Sequence, residues 1–350
     1  MSDTPPKGST PSQLDLSLFE LDPLFERNYS FLFHIYDQAC RFVYDRQAKF
    51  LEKATPAQMV NTTSVEISGS TVSVHVTAAN VLQTKVAGKK MKRRVLVFPG
   101  VREERIEYAL RKMASHKRAT SHQPDSGNYK GYNLVGLSFT LYELRRELEQ
   151  SGIRYNIDDL KEGLRILNQS HLSIDTDNGS GLDELNAPFL PVLILSDREA
   201  AAQGVRCFVA FHPLVSHLIN DSRIYRYNYS LALSFRNNYA RSLFYRLSMR
   251  WSQASIENSY TISLSTAMDA IPNRGKVVAR DKALFVEVLN ELKEKGVISG
   301  YDLYPKKSGR KILDWIFTLH STEWFAKQMA SNNSRRASLG APHPAAKKDA

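Results

Sequence analysis

Arg280, Lys282, Glu287 and Asn290 lie within one short stretch and carry the donors and acceptors that match base edges. An arginine fork fits the two acceptors of guanine, an asparagine amide fits adenine, and a glutamate accepts from the cytosine amine. Just downstream, Lys306, Lys307, Arg310 and Lys311 crowd around Gly309, a set suited to phosphate. These eight side chains act together only if one element carries the first four and a neighbouring element presents the rest.

The flanking residues supply those elements. Between Arg280 and Lys295, Leu284, Phe285, Val288, Leu289 and Leu292 recur at helical spacing, and Gly296 sits where a helix stops. Val297 and Ile298, then Tyr301 to Tyr304, lead into a basic loop from Pro305 to Lys311. Ile312 to Leu319 returns with Leu313, Trp315, Phe317 and Leu319 at period two. Thr261 to Ala270 supplies a short preceding helix, joined through Pro272-Asn273-Arg274-Gly275. Helix, helix and basic hairpin is the order of a winged helix-turn-helix, whose second helix enters the major groove. An ordinary helix packed on a hairpin has the same order, and Glu287, Glu291 and Glu294 offset part of the positive charge.

A chain of 350 residues can bury two cores, and a net charge of +11 favours a polyanionic partner. No apolar run is long enough to span a membrane and no signal peptide is readable, so the expected location is the cytoplasm. Cys40 and Cys207 stand far apart, which suits a reducing compartment and argues against a zinc site.

Residues 1–13 and 331–350 read as a disordered arm and a disordered basic tail. Residues 14–84 form an N-terminal region. It opens with a mostly helical pattern holding Phe31, Phe33, Ile35, Tyr36, Phe42, Val43, Phe50 and Leu51, followed by a hairpin from Ser64 to Thr77 about Gly69. Residues 85–221 make a first unit. Its basic opening (Lys85, Lys89, Lys90, Lys92, Arg93, Arg94, Arg102, Arg105, Arg111, Lys112, Lys117, Arg118) faces only Glu103, Glu104 and Glu107. Val101 to Ala114 is expected to be a helix burying Ile106, Leu110 and Met113, with its charges either solvated or on phosphate. Two helices follow, Ser138 to Gln150 and Asn156 to Asn168, with Asn156 or Ser138 as caps, then strands at His171 to Asp175, Pro191 to Ser196 and Val205 to His212. Asp158, Asp159 and Glu162 make the second of these helices poor for groove reading. Residues 222–330 make a second unit, which begins with a strand-like run from Arg223 to Tyr229 followed by the amphipathic helix Asn238 to Trp251, whose Arg241 is a further candidate for phosphate.

Catalytic signatures are missing: there is no phosphate loop ending in Lys-Ser/Thr and no paired-histidine metal motif. The chain is therefore expected to be no enzyme and to need no cofactor or metal. Asp158-Asp159, or Asp175 with Asp177, keeps a metal-dependent nuclease or primase open as an alternative.

Tyr239-Ala240-Arg241-Ser242-Leu243-Phe244-Tyr245-Arg246-Leu247 resembles the Tyr-x-x-Arg-Leu-Tyr-Glu-Leu helix of the iteron-binding plasmid replication initiators. Here the arginine comes one position early and Tyr245 stands where the family has Glu. Leu284 to Lys295 is placed like that family's recognition helix, which ends in Glu-Ile-Asn, although Asn290 here precedes Glu291. Gly309-Arg310-Lys311-Ile312, leading to Ile316-Phe317, is similar to its basic turn and last strand. The resemblance covers roughly the C-terminal third. It implies an α+β chain of two tandem winged helix-turn-helix domains with an N-terminal helical and hairpin extension. It further implies binding to double-stranded origin repeats, cooperation with a host replication initiator and helicase, repression of its own promoter, and a possible homodimer. A transcriptional repressor without a replication role would show the same residues.

Overall fold

The computed structural model describes residues 28–38, 41–44, 50–51, 56–67, 70–83, 93–116, 119–122, 134–176, 185–196, 206–220, 224–269 and 278–338. The expected N-terminal arm, the lysines from Lys85 to Lys92, Asp177, the Pro272 to Gly275 connection and the end of the basic tail lie outside them. In chain order, β1 (Tyr29–Phe33), α1 (His34–Gln38) and β2 (Phe50–Leu51) precede a hairpin of β3 (Val60–Ile67) and β4 (Ser70–Thr77). Next come β5 (Ala79–Gln83), β6 (Arg93–Val97), α2 (Val101–His116), β7 (Thr120–His122), β8 (Leu134–Phe139), α3 (Leu141–Gln150) and α4 (Ile157–Gln169). β9 (His171–Thr176), β10 (Leu185–Pro188), β11 (Val192–Ile194), β12 (Cys207–Ala210) and α5 (Pro213–Asn220) complete the first half. The second half contains β13 (Ile224–Asn228), α6 (Tyr229–Ser234), α7 (Asn238–Arg250), β14 (Tyr260–Ser263) and α8 (Leu264–Asp269). It ends with α9 (Val278–Glu294), β15 (Ile298–Ser308), β16 (Lys311–Ser321) and α10 (Glu323–Ser338). No helix among the described residues is long and apolar enough to cross a membrane.

Local chemistry explains the paired helices of the first half. Thr140 caps α3 in a reciprocal box: its hydroxyl accepts from Glu143 N at 3.2 Å and the Glu143 carboxylate accepts from Thr140 N at 2.7 Å. Ser138, weighed as that cap, lies instead within β8, while Asn156 caps α4 by accepting from Asp159 N at 2.7 Å. Leu144, Leu148, Leu160, Leu164 and Leu167 are fully buried. Helix α4 passes close to α2 at Gly163, where a Cβ would sit 2.5 Å from Ile106 Cδ1. Glycine costs about 1 kcal/mol against alanine in a helix, and the close approach explains its use here.

Sheets tie distant segments together. The β3-β4 hairpin joins the β9-β10 pair in one antiparallel sheet, ordered β10-β9-β4-β3, so Val72, Val74 and Val76 pack into the same core as Leu172 and Ile174. Strands β5 and β6 pair across the boundary expected near residue 84. The N-terminal region therefore shares sheets with the unit after it. Within the helical pattern expected from Leu14 to Lys53, much of which lies outside the described residues, residues 34–38 are helical but residues 29–33 are corrected: they are a strand, paired with β13 from Tyr29↔Asn228 to Phe33↔Ile224. Strand β1 is buried along almost its whole length, so the alternation that marks a strand is missing from its sequence. Thr261 to Ala270 is also corrected, since residues 260–263 are strand β14 and only 264–269 are helical. The expected tail is helical to Ser338, because Phe325 and Met329, one turn apart, are buried and Asn332 donates to the Arg226 carbonyl at 3.0 Å.

Helix α2 is the largest departure from expectation. Most of its charges are neither solvated nor free for phosphate: Glu103, Glu104, Glu107, Arg111 and Lys112 are all buried, while Arg102 and Arg105 are partly exposed. Asp37 accepts both Arg111 Nη1 and Nη2, at 2.7 and 2.8 Å, together with Arg41 Nη2 at 2.5 Å, Tyr108 OH at 3.1 Å and Phe33 N at 2.6 Å. Glu107 accepts from Arg41 Nη1 at 2.9 Å and from Tyr36 OH at 2.7 Å. Burial alone would raise the Asp37 carboxyl, and the Arg111 and Arg41 guanidiniums more than reverse it, holding the group below its ordinary value.

Against this cluster lies His212, whose ring is 5.5 Å from that of Tyr36 and whose Nδ1 accepts from Leu214 N at 3.2 Å. Burial, with Arg41 acting in the same direction, pushes its imidazole down to about 3. The unfolded chain then takes up a proton near pH 6.5 that the folded chain refuses, so stability is full above that pH and falls as pH drops toward the folded value. The expected slope from this one group is about 1.4 kcal/mol per pH unit. Urea unfolding at pH 6.5, 5.5 and 4.5 checks it: His212→Asn should flatten the dependence by that amount, and an unchanged slope would refute the assignment.

Candidate nucleic-acid interface

Helix α9 buries Phe285, Val288, Leu289 and Leu292 and turns Arg280, Glu287 and Asn290 outward. Its end follows from Gly296, at φ +70°, in the left-handed region glycine adopts without cost. Three of the four base-reading candidates are thus exposed on one helix. Lys282 is half-buried, its ammonium 3.5 Å from the centroid of the Trp315 ring on β16, so it also fastens the helix to the hairpin.

Glu291 and Glu294, which weakened the electrostatic reading, have structural partners. The Glu291 carboxylate accepts from Arg236 N at 2.6 Å and Asn237 N at 3.0 Å, just ahead of α7, and Glu294 pairs with the Arg236 side chain at 2.9 Å. Glu291 thereby anchors α9 against the start of α7. Glu291→Ala should cost about 1 to 2 kcal/mol, because two backbone donors lose a charged acceptor. Thermal unfolding reads this, and no loss relative to the parent would show that water replaces the carboxylate freely.

Strands β15 and β16 form a long hairpin closed by Gly309, at φ +59°, and Arg310. Lys306, Lys307, Arg310 and Lys311 are all exposed on it. The hairpin sheet continues to β14 in the order β14-β16-β15. Phe317 and Leu319 on β16 face the core, and Phe285 of α9 meets Phe317 edge-on with ring centroids 4.8 Å apart. Asp314 accepts from Ser265 N at 3.2 Å and from the Ser265 hydroxyl at 2.5 Å, fixing β16 to α8. The register slips by one residue between Lys306↔Asp314 and Lys307↔Ile312, which leaves Leu313 without a cross-strand partner.

Arg241 is corrected. It is fully buried, with Nη2 2.5 Å from Glu104 and 2.9 Å from Asn238 Oδ1, and Tyr44 OH donates to the other Glu104 oxygen at 3.1 Å. It cannot reach a phosphate because helix α2 covers it. The family-like helix α7 is instead the seam between the halves of the chain, where the Tyr245 ring lies tilted against Tyr108 at 4.8 Å between centroids and meets Tyr227 edge-on at 5.2 Å. No spacing rule along α7 reveals this, since Glu104 lies 137 residues away.

One acid of each pair in the alternative reading has a basic neighbour, and Asp177 lies outside the described residues. Asp159 sits in the first turn of α4, 3.9 Å from Arg102, and Asp175 pairs with His75 at 3.0 Å.

No protein-family model matches the chain, and no curated protein sequence matches it. Among solved structures it is similar to domains 2 and 3 of RctB, at 11% identity and a TM-score of 0.45, over 85% of this chain and 99% of that one. A second structure, of selenomethionine derivatives of the same two RctB domains, aligns at 13% identity and a TM-score of 0.46, over 82% and 96%. The chain is also similar to the Pi initiator protein in complex with iteron DNA, at 16% identity and a TM-score of 0.44, over 64% and 92%.

Proposed function

We propose that the chain is a sequence-specific double-stranded DNA-binding protein of the replication-initiator kind, built from two winged helix-turn-helix units in tandem, with no enzymatic activity of its own. The carrying observation is the exposed row Arg280, Glu287 and Asn290 on α9, beside four exposed cations on the hairpin that follows it. In this reading α9 enters the major groove, and Lys306, Lys307, Arg310 and Lys311 form a wing on phosphate. The first unit, whose α4 exposes Asp158 and Arg165, contacts phosphate or a second copy of the chain. The resemblance of residues 239–247, 284–295 and 309–317 to the iteron-binding initiators points to repeated sites at a plasmid origin, with a host initiator and helicase as partners. The same surface would let the protein repress its own promoter.

The test is titration of the purified chain, across salt concentrations, against a duplex selected from a random pool and an unrelated duplex of equal length. About six to ten phosphate contacts give a log-log slope of roughly −5 to −9. Arg280→Ala should relax preference at one base position at a cost of about 1 to 3 kcal/mol, while Lys307→Ala should weaken all sequences alike and shorten the slope by about 1. Equal binding to both duplexes by the parent would reduce α9 to a basic surface and defeat the reading.

A further inference from the structure

The tip of the β15-β16 hairpin carries apolar side chains where an element that only holds phosphate needs none. Leu313 is 53% exposed and Ile312 41%, close to the turn and flanked by Lys306, Lys307, Arg310 and Lys311, while Tyr304, 57% exposed, lies farther down β15 opposite Ile316. The one-residue slip in register produces this arrangement, because an extra residue in one strand re-aims the side chains beside it. Asp314, the one acid at the tip, is occupied by Ser265 of α8. A protein partner would meet four cations around a small apolar point, whereas a nucleic acid offers phosphates on both sides of a groove with apolar base faces between them.

We propose that Ile312 and Leu313 are a minor-groove wedge: they enter between base pairs and kink the duplex while the surrounding cations hold the two phosphate strands. This rests on the DNA-binding reading of α9 above. The step from the major groove at α9 to the adjacent minor groove is half a turn of the duplex, roughly 17 Å for a repeat of about 34 Å. That groove, about 6 Å wide, is too narrow for a two-stranded ribbon to lie in but admits single side chains that project from one. Apolar side chains inserted there partly unstack a base step and bend the helix toward the major groove.

The experiment uses the full chain and a selected duplex of about 30 base pairs, end-labelled for energy transfer, with 2-aminopurine placed across from the hairpin. The parent should shorten the end-to-end distance and raise 2-aminopurine fluorescence. The double variant Ile312→Ser, Leu313→Ser should bind within about threefold of the parent, with an unchanged salt slope, and lose both signals. Leu313→Lys, which adds a cation at the same exposed position, should bind at least as well and also lose them. A double variant that binds and still bends the duplex overturns the wedge and leaves the DNA-binding reading intact. A parent that binds no duplex overturns both.

Discussion

Arg241→Ala is expected to destabilise the chain by about 3 to 5 kcal/mol and to leave the salt dependence of DNA binding unchanged. The magnitude follows from breaking a buried ion pair by removing one partner, which strands Glu104 in a dry site with its charge uncompensated. A surface arginine on phosphate gives the opposite pattern: intact stability and a salt slope shortened by about 1. Denaturant unfolding and a salt titration on the same preparation separate the two. The buried assignment fails if stability stays within about 0.5 kcal/mol of the parent, the range of ordinary surface substitutions. Arg241→Met with Glu104→Leu should recover much of the loss, since a buried pair replaced by apolar side chains of similar volume is often neutral.

Asp37→Ala is expected to do more damage still, abolishing cooperative unfolding or lowering stability by more than about 5 kcal/mol. This carboxylate faces two buried guanidiniums, those of Arg41 and Arg111, and its loss leaves Glu107 alone against both, so one buried charge is uncompensated, a penalty of about 3 to 5 kcal/mol, while Tyr108 OH and Phe33 N also lose their acceptor. Asp37→Asn keeps the shape and loses the charge, so it should fall between Asp37→Ala and the parent. Near-ultraviolet circular dichroism during urea unfolding distinguishes a native fold from a collapsed one. A parent-like cooperative transition in Asp37→Ala would mean that Glu107 alone neutralises both arginines. The depressed carboxyl adds a pH effect of its own. Its stabilisation is complete above the unfolded value near 3.9 and fades as pH falls through the lower folded one, a window more acidic than the onset of the His212 effect.

Helix α9 and the hairpin after it are legible because their determinants are local. Five apolar residues at helical spacing, Gly296 after them, and period-two alternation on β16 each act within a few residues, so the helix expected over 280–295 is observed at 278–294. Exposure of Arg280, Glu287 and Asn290 follows from the same spacing. The hidden part is non-local. On α2, Ile106, Leu110 and Met113 mark one apolar face, and nothing along the helix says that Glu104, Glu107 and Arg111 are also covered. Their partners Asp37, Arg41 and Arg241 come from segments 60 or more residues away. A charged helix therefore reads as solvated until the fold delivers the opposite charges. Strand β1 was missed for a related reason: its partner β13 is remote, and burial of nearly all its residues removes the alternation that betrays a strand. Strict alternation puts Leu313 in one period-two series with Trp315, Phe317 and Leu319, and the one-residue slip breaks that series near the turn.

The pairing of β1 with β13 also bears on how the protein is made. Residues 29–33 leave the ribosome roughly 190 to 200 residues ahead of residues 224–228. At about 5 to 20 residues per second that is a wait of roughly 10 to 40 s. Throughout it, Phe31, Leu32 and Phe33 belong to a strand with no partner yet synthesised, while the two guanidiniums that meet beside it, at residues 41 and 111, both emerge before residue 224. The nascent first half thus has its charges before it has the strand that closes over them, and its final sheet is completed only after the second half has begun to emerge.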